Sequence, residues 1–268
     1  MNYWTWTGRK GIATVYEVSS LGENIVNPRA ALAFADPPYN YSVPYANDAT
    51  MDNLSLADWQ RVMRFSLDSM RQLVIPGGSV WMLLPWDRVH LIDGEYEHLK
   101  RQPQVIWQER FGQYQQNKGL TVGHRHLLNW METSAPRARW NPDDIRVQSV
   151  RQKMGDKRAD PRGRVPDTVW AGPRLPGNAR ARVDWHPAQL SPAPLRTLVR
   201  GWSDRGDTVF ELFSGSGSLA VVCIQEGREY VGVEQSPVYC ENIMSRLVLE
   251  FGGKAERKED GCLVQSFN

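Results

Sequence analysis

The feature that most constrains the fold is a short apolar run, residues 30–35, that stops at the sequence DPPY of residues 36–39. A six-residue apolar run ended by proline is typical of a buried parallel strand that leads into a loop. Ser55 then stands where a helix N-cap is expected, and apolar residues follow it at helical spacing. A second apolar run occupies residues 79–84, so this segment predicts a strand–helix–strand crossover of a parallel sheet.

The same alternation returns in the last third of the chain. There we predict helix 195–202, strand 208–212, a glycine-rich turn, helix 218–226, strand 230–233 and a helix that begins after Ser236. Two further strands are predicted at residues 105–107 and 126–131. Alternating elements at both ends predict an α/β fold with a doubly wound, mostly parallel, Rossmann-like sheet.

Composition excludes several classes of protein. The chain has 268 residues, of which 41% are apolar and 23% charged, as in ordinary globular proteins. No apolar run is long enough to span a membrane, and the opening residues lack the pattern of a signal peptide. Three scattered cysteines argue for a reducing compartment and against a structural zinc site. We therefore predict a soluble cytoplasmic protein with no membrane partner and no metal.

The basic residues are concentrated in the centre of the chain. Residues 136–185 contain twelve Lys or Arg and six Asp, within a chain whose total charge is +2. Such an insert is expected where a segment contacts a polyanion, but a solvated surface loop has the same composition. Trp140, Trp170 and Trp185 lie among these charges, where they can stack on bases or anchor a small core. Periodicity is lost here, which predicts an irregular insert.

The turn FSGSG of residues 213–217 follows a predicted strand and precedes a predicted helix. Its glycines allow close backbone approach, and the helix N-terminus offers free N–H groups to a ligand. Glu234 ends the next strand, where a carboxylate can accept hydrogen bonds from ribose hydroxyls. The pair favours an adenosine-containing cofactor, although a packing turn that binds nothing is equally common. The lysine of a phosphate-binding loop is missing, which argues against a nucleoside triphosphate.

The sequence DPPY carries a second candidate site. Its two prolines stiffen the backbone and hold the Pro37 carbonyl beside the Asp36 carboxylate. Two acceptors next to the ring of Tyr39 form a socket for a flat ring that bears an amino group. A simple strand-ending turn is the alternative interpretation.

Together these motifs resemble those of the S-adenosylmethionine-dependent amino-methyltransferases of DNA, which act on adenine N6 or cytosine N4. DPPY resembles their catalytic motif, FSGSG their cofactor motif, and HPAQ at residues 186–189 a segment next to the cofactor. The catalytic motif comes first, as in the β group. The resemblance implies a circularly permuted fold, with a catalytic half at 1–135, a target-recognition insert at 136–185, a cofactor half at 186–252 and a flexible tail at 253–268.

The resemblance also assigns residues to roles. The implied catalytic residues are Asp36, Pro37, Pro38 and Tyr39. The implied contacts to S-adenosylmethionine are Asp36, His186, Gln189, Glu211, Phe213, Ser214, Gly215, Ser216, Gly217, Ser218, Glu234, Gln235 and Ser236. The predicted DNA contacts are Tyr41 and Tyr45 in a lid or wedge loop at 40–53, and, in the insert, Arg137, Arg139, Arg151, Lys153, Lys157, Arg158, Arg162 and Arg164.

The target follows from the first letter of DPPY, because Asp there usually accompanies adenine in this family. The resemblance therefore implies methylation of adenine N6 on a nucleotide flipped out of double-stranded DNA, in a bacterial, archaeal or phage-encoded enzyme. Cytosine N4 is the near alternative, and an RNA or protein methyltransferase or a catalytically silent DNA-binding relative are more distant ones. A homodimer and a cognate restriction endonuclease are partners suggested by analogy alone.

Overall fold

The computed structural model describes residues 2–18, 27–46, 50–113, 122–173, 175–176, 179 and 181–259. The strands in this part are β1 (Asn2–Gly8), β2 (Gly11–Glu17), β3 (Ala30–Ala35), β4 (Val74–Pro85), β5 (Leu99–Gln113), β6 (Val122–Glu132), β7 (Val169–Ala171), β8 (Thr208–Leu212), β9 (Glu229–Glu234) and β10 (Lys254–Glu259). The α-helices are α1 (Leu56–Leu73), α2 (Val150–Lys153), α3 (Pro192–Trp202), α4 (Ser218–Glu226) and α5 (Pro237–Phe251). Short 3-10 helices lie at Thr50–Asp52, Val89–Leu91 and Pro142–Ile145. None of the described helices is both long and apolar enough to cross a membrane.

All the strands belong to one sheet of order β10-β1-β2-β9-β8-β3-β4-β6-β5-β7. Strands β2, β9, β8, β3 and β4 are parallel, whereas β1, β6 and β10 pair antiparallel with their neighbours. The α/β fold predicted from the sequence is confirmed, with antiparallel strands added at both flanks. From β3 the chain crosses to β4, and from β8 it crosses the other way to β9. Strands β3 and β8 therefore form a topological switch point, where open sheets bind ligands.

Side chains alternate between the two faces of the central strands, as the period of two requires. Ala33 and Ala35 face the apolar cluster that includes helix α1. Leu32 and Phe34 face the cluster that includes α3, α4 and α5. Because α1 and α4 cover opposite faces, the loops after β3 and β8 lead away to opposite sides and define a crevice at the strand ends.

The basic insert is attached to the sheet by its tryptophans. The Trp140 and Trp170 rings lie 4.8 and 6.0 Å from the Trp202 ring, and Trp81 lies 4.7 Å from Trp202. Trp185 packs 5.6 Å from Tyr239. The alternative that these residues anchor a small core therefore describes them better than base stacking. The insert is irregular, as predicted, apart from α2, β7 and one 3-10 turn.

The prediction of a flexible tail at 253–268 is wrong for its first part. Residues 254–259 form β10, which pairs antiparallel with β1. The Trp6 indole also donates to the Gly252 carbonyl at 2.8 Å. Backbone pairing with β1 is enough to order a segment whose side chains are mostly charged. Residues 260–268 lie outside the described part of the chain, and the boundaries at 135, 185 and 252 remain predictions.

Candidate active site

The two loops singled out in the sequence leave the sheet side by side. Ala35, the last residue of β3, pairs in parallel register with Leu212, the last residue of β8. Asp36 and Phe213 are the next residues in each strand, so DPPY and FSGSG begin at the same edge of the sheet. The two motifs are therefore neighbours in the fold, although 177 residues separate Asp36 from Phe213 along the chain.

Helix α1 fixes the backbone of the DPPY loop. The indole N–H of Trp59, buried on that helix, donates to the Pro38 carbonyl at 2.8 Å. The Pro37 carbonyl receives no hydrogen bond from any described residue. The loop therefore presents two acceptors, the Asp36 carboxylate and the Pro37 carbonyl, beside the Tyr39 ring.

A half-buried arginine that sequence reasoning missed lies against the same loop. Arg125 of β6 donates from Nη1 to the Tyr39 hydroxyl at 3.1 Å and lies 3.9 Å from Asp36 Oδ1. The Tyr39 hydroxyl donates to Asp36 Oδ1 at 2.5 Å. The second arm of Arg125 bonds Glu109 of β5 at 2.6 Å. Burial raises the pKa of Asp36 above its ordinary value, while Arg125 and the Tyr39 hydrogen bond oppose that rise.

The glycine turn adopts a backbone that most residues avoid. Phe213, Gly215 and Gly217 all have positive φ, at 72°, 48° and 68°. A Cβ on Gly215 would lie 2.9 Å from His186 Nε2, so glycine is required there for space as well as for φ. Gly217 is the N-cap of α4, where no side chain caps the first N–H groups of the helix.

Glu234 joins the glycine turn to the start of α5. Its carboxylate accepts from Gly215 N–H at 2.8 Å and from Ser236 N–H at 2.9 Å. A carboxylate has about four acceptor positions, so capacity remains for ligand hydroxyls. Burial raises the pKa of Glu234 to about 7, although the backbone N–H groups oppose that rise.

His186 packs directly on the turn. Burial lowers the pKa of His186 to about 4, so the ring is neutral near pH 7. Its Nδ1 accepts from Ala188 N–H at 3.3 Å, which places the ring proton on Nε2, the atom nearest Gly215. The Tyr45 ring centroid lies 5.8 Å from that of His186.

Other residues expected to contact a cofactor form hydrogen bonds within the protein around the glycine turn. Glu211 is buried with the Tyr230 hydroxyl 2.5 Å from its carboxylate, and burial raises the pKa of Glu211 well above its ordinary value. The side-chain amide of Gln189 forms two hydrogen bonds with the backbone: its oxygen accepts from the N–H of Val183, and its nitrogen donates to the carbonyl of Ala181. The hydroxyls of Ser216 and Ser218 are buried 3.0 Å apart. Direct cofactor contacts by these side chains remain predictions.

The remaining members of that predicted set are Ser214, Gln235 and Ser236, on or next to the same elements. Ser214 is tied to the Val233 carbonyl through both its N–H and its hydroxyl. Ser236 caps α5, and Gln235 is exposed between Glu234 and that cap. Their contacts to a cofactor are likewise still predictions.

The loop after DPPY is organised around one buried carboxylate. Asp52 accepts from the N–H groups of Asn40 at 2.6 Å, Tyr41 at 3.1 Å and Val43 at 2.8 Å. The Ala46 N–H donates to the Tyr239 hydroxyl of α5 at 2.7 Å. The part of this loop at 40–46 therefore spans from DPPY to the cofactor half. Residues 47–49 of the predicted lid lie outside the described residues.

The predicted DNA contacts fall into two sets. Several arginines are already paired: Arg137 with Gln102, Arg139 with Asp204 and Asp207, Arg158 with Asp156, Arg162 with Asp160, and Arg164 with Asp167. The second set is exposed and forms no ion pair with any described residue: Arg151, Lys153 and Lys157. Arg139 joins the insert to the turn before β8, whereas the exposed local pairs are weak enough to exchange for phosphate.

Among the residues that the structure describes, no group of three or more His, Cys, Asp or Glu side chains is arranged to hold a metal ion. The groups described around the two loops are the two acceptors of DPPY, the neutral imidazole of His186 and the buried carboxylate of Glu234.

Comparison with known proteins agrees with this chemistry. The N6_N4_Mtase family model, described as DNA methylase, matches residues 30–245. The type II methyltransferase M.HpaI of Haemophilus parainfluenzae is 28% identical over 240 residues, which cover 88% of this chain and 72% of that protein. The DNA adenine methyltransferase YhdJ of Escherichia coli K12 is 25% identical over 227 residues, which cover 81% of this chain and 75% of that protein.

Two solved structures share the fold at low identity. The M1.HpyAVI–SAM complex has a TM-score of 0.59 at 17% identity, covering 88% of this chain and 100% of that one. The cytosine-N4-specific PvuII DNA methyltransferase has a TM-score of 0.63 at 13% identity, covering 90% and 87%. The family match spans the described crevice, the insert and both loops. This chain is a member of the N6_N4_Mtase family of DNA methylases, whose methyl donor is S-adenosylmethionine.

Proposed function

We propose that the protein transfers a methyl group from S-adenosylmethionine to the N6 amine of an adenine flipped out of double-stranded DNA. The observation that carries the proposal is the register of β3 and β8, which sets the two acceptors of DPPY beside the glycine turn. A donor bound at the turn and an amine held by DPPY would then meet in one crevice.

The residues around the turn fit the methyl donor. Glu234 retains acceptor capacity for a ribose hydroxyl, and the positive φ of Gly215 lets the backbone approach a ligand closely. The N-terminus of α4 suits a polar or anionic group. When bound, S-adenosylmethionine supplies an electrophilic methyl on a positively charged sulfur.

DPPY would prepare the amine for attack. The lone pair of an exocyclic amine is delocalised into the base, which makes the nitrogen a poor nucleophile. Asp36 and the Pro37 carbonyl would each accept one N–H, and this favours a pyramidal nitrogen with its lone pair directed toward the methyl. Tyr39 would stack on the base. Burial raises the pKa of Asp36, which suits it to take the proton that the amine releases. Positioning supplies much of the acceleration in such a direct transfer.

The insert would bind the duplex that supplies the base. The target nitrogen lies inside the helix, so the nucleotide must leave the stack at a cost of a few kcal/mol. Tyr41 and Tyr45 lie in the loop after DPPY, and Trp86, which directly follows β4, is half exposed. Arg151, Lys153 and Lys157 are the cations most available for phosphates. A homodimer and a cognate restriction endonuclease remain predictions by analogy.

Adenine is favoured over cytosine by the aspartate at position 36 and by the adenine specificity named for YhdJ. Cytosine N4 is the second candidate, because the PvuII enzyme of the same fold is named cytosine-N4-specific.

The test is direct product analysis. Purified protein is incubated with labelled S-adenosylmethionine and unmethylated genomic DNA, and the digested nucleosides are separated to distinguish N6-methyladenine from N4-methylcytosine. We expect label in N6-methyladenine for the unaltered protein. Asp36→Ala should lose at least about a hundredfold in rate, since it removes an acceptor directed at the reacting amine. Mapping methylated positions in a genome exposed to the enzyme would then give the recognition sequence.

The matched control is Asp68→Ala, which removes an exposed carboxylate on α1 that bonds Arg71. It should leave methylation intact. Label in N4-methylcytosine would replace adenine by the second candidate. Label in RNA or protein but not in DNA, or equal rates for Asp36→Ala and the unaltered protein, would contradict the proposal.

A further inference from the structure

A guanidinium that no sequence motif pointed to contacts the catalytic loop from a neighbouring strand. Arg125 pairs in register with Pro85, the last residue of β4, and with Trp107 of β5. This register places Arg125 past the end of β3, beside the DPPY loop. Its guanidinium lies 5.4 Å from the Trp107 ring centroid, so this forked group lies between the Trp107 ring and the DPPY loop.

The two terminal nitrogens of the Arg125 guanidinium have different hydrogen-bond partners. One arm donates to the Tyr39 hydroxyl at 3.1 Å, and the other bonds Glu109 at 2.6 Å. Because Tyr39 accepts from a cation, its own proton must point elsewhere, and it points to Asp36 Oδ1 at 2.5 Å. Arg125 thereby selects the rotamer of the Tyr39 hydroxyl that keeps Asp36 an acceptor.

We propose that Arg125 is a positioning residue of the methyl-transfer site, which orients the Tyr39 hydroxyl and compensates the charge of Asp36, while Glu109 holds Arg125 in place. This inference rests on the proposed function. It assigns roles to two side chains that act on the amine through Asp36 and Tyr39 without touching it.

The charges around Asp36 make the inference testable by pH. Groups that face or act on this carboxyl from each neighbouring element are Arg125 of β6, Glu109 of β5, Glu211 of β8, and Tyr39 and Tyr45 of the loop. Arg125 lowers the pKa of Asp36 and Glu109 raises it. Removing the cation should therefore move the pKa of Asp36 up, and neutralising Glu109 should move it down.

The experiment measures the pH dependence of single-turnover methyl transfer for four variants. Arg125→Met should shift the acid limb of the pH–rate profile to higher pH by about one to three units, the range expected when an opposite charge at this distance is lost. Glu109→Gln should shift it to lower pH. Arg125→Lys should keep the limb near its original pH with a lower plateau, since charge is retained and the fork is lost. The fourth variant, Arg101→Met, is the matched control.

Arg101 is a comparable half-buried arginine of the same sheet. Its guanidinium lies 5.2 Å from the Trp130 ring and pairs with Asp93, and it makes no hydrogen bond or ion pair with Asp36 or Tyr39. Its loss should leave the limb unmoved.

A second readout does not depend on turnover. The Asp36 carboxyl can be titrated by ¹³C NMR in cofactor-free protein, with Asp36→Asn to assign the signal. A higher pKa in Arg125→Met and a lower one in Glu109→Gln would support the proposal, even if no DNA were methylated. Equal rate losses at all pH values with an unmoved Asp36 titration would overturn it, because a purely structural role predicts that result. Failure of the unaltered protein to label DNA would instead overturn the proposed function.

Discussion

Cofactor affinity should depend on pH through Glu234. The carboxylate ends β9, accepts from the backbone N–H groups of Gly215, Gln235 and Ser236, and has a pKa raised by burial to about 7. Ribose hydroxyls donate to the ionised form, so binding should favour deprotonation. The sign follows: affinity is full above pH 7 and falls as the pH drops through 7.

The magnitude follows from the same value. A carboxyl of pKa near 7 is about 90% ionised at pH 8 and about 10% ionised at pH 6. If the ionised form alone binds, the association constant falls about tenfold across this interval, or about 1.4 kcal/mol. Binding below pH 7 should also release a proton.

Isothermal titration calorimetry at pH 6, 7 and 8 measures both quantities, with two buffers of different ionisation enthalpy to count protons. The amino group of the cofactor titrates near pH 8 itself, so the decisive quantity is the difference between the unaltered protein and Glu234→Gln. Glu229→Gln, at the exposed start of the same strand, is the control and should keep the original slope. Identical slopes for the unaltered protein and Glu234→Gln would refute the role of this carboxyl.

Three further variants test other parts of the site. Gly215→Ala forces a Cβ within 2.9 Å of His186 at a positive φ, so we expect a loss of about 1–2 kcal/mol in unfolding free energy and at least tenfold weaker cofactor binding, measured by denaturation and calorimetry. Trp59→Phe removes the hydrogen bond to Pro38, and should cost about 1–3 kcal/mol of stability and reduce the methylation rate more than cofactor affinity. The third variant replaces three exposed cations by Gln: Arg151, Lys153 and Lys157. It should weaken DNA binding at all sequences and reduce the number of counterions released on binding by up to about three, as the salt dependence of the binding constant measured by fluorescence anisotropy would show.

Arg139→Gln is the contrast for the last variant. This side chain bonds Asp207 and lies 2.9 Å from Asp204, so its loss should lower stability with little change in the salt dependence. Equal salt slopes for the triple variant and the unaltered protein would remove those three cations from the interface. A Trp59→Phe variant with normal turnover would show that α1 does not hold the DPPY loop.

The central elements could be predicted from the sequence because their signals are local. Strands β3 and β8 and helix α4 have the predicted bounds, since each apolar run is closed by proline, glycine or a polar turn. Helix α1 begins at the predicted serine cap but ends at Leu73, because Val74 already pairs with Ala30 in the sheet.

The flanking strands could not be predicted in the same way. Strand β10 has the sequence KAERKE, and an edge strand with charges on both faces has no apolar period. Its order comes from pairing with β1, more than 240 residues away along the chain. The alternating Trp and Thr of β1 is the one local signal that was available.

The candidate site likewise combines motifs that could be predicted from the sequence with residues that could not. DPPY and FSGSG are contiguous motifs, whereas Arg125 and Glu109 are single charges in two strands joined by cross-strand pairing. Their meaning depends on the register that sets Arg125 opposite Pro85. A charged residue within a strand pattern, close to the edge that carries the catalytic loop, is the signal that could have found them.

One hydrogen bond joins the loop that follows DPPY to helix α5. The Ala46 N–H binds the hydroxyl of Tyr239, in the first turn of the helix that follows Glu234. We expect a donor bound beside Glu234 to alter the position of residues 40–46 through this hydrogen bond, so the donor should bind before the base. Tyr239→Phe removes the hydrogen bond, so the two ligands should then bind in either order.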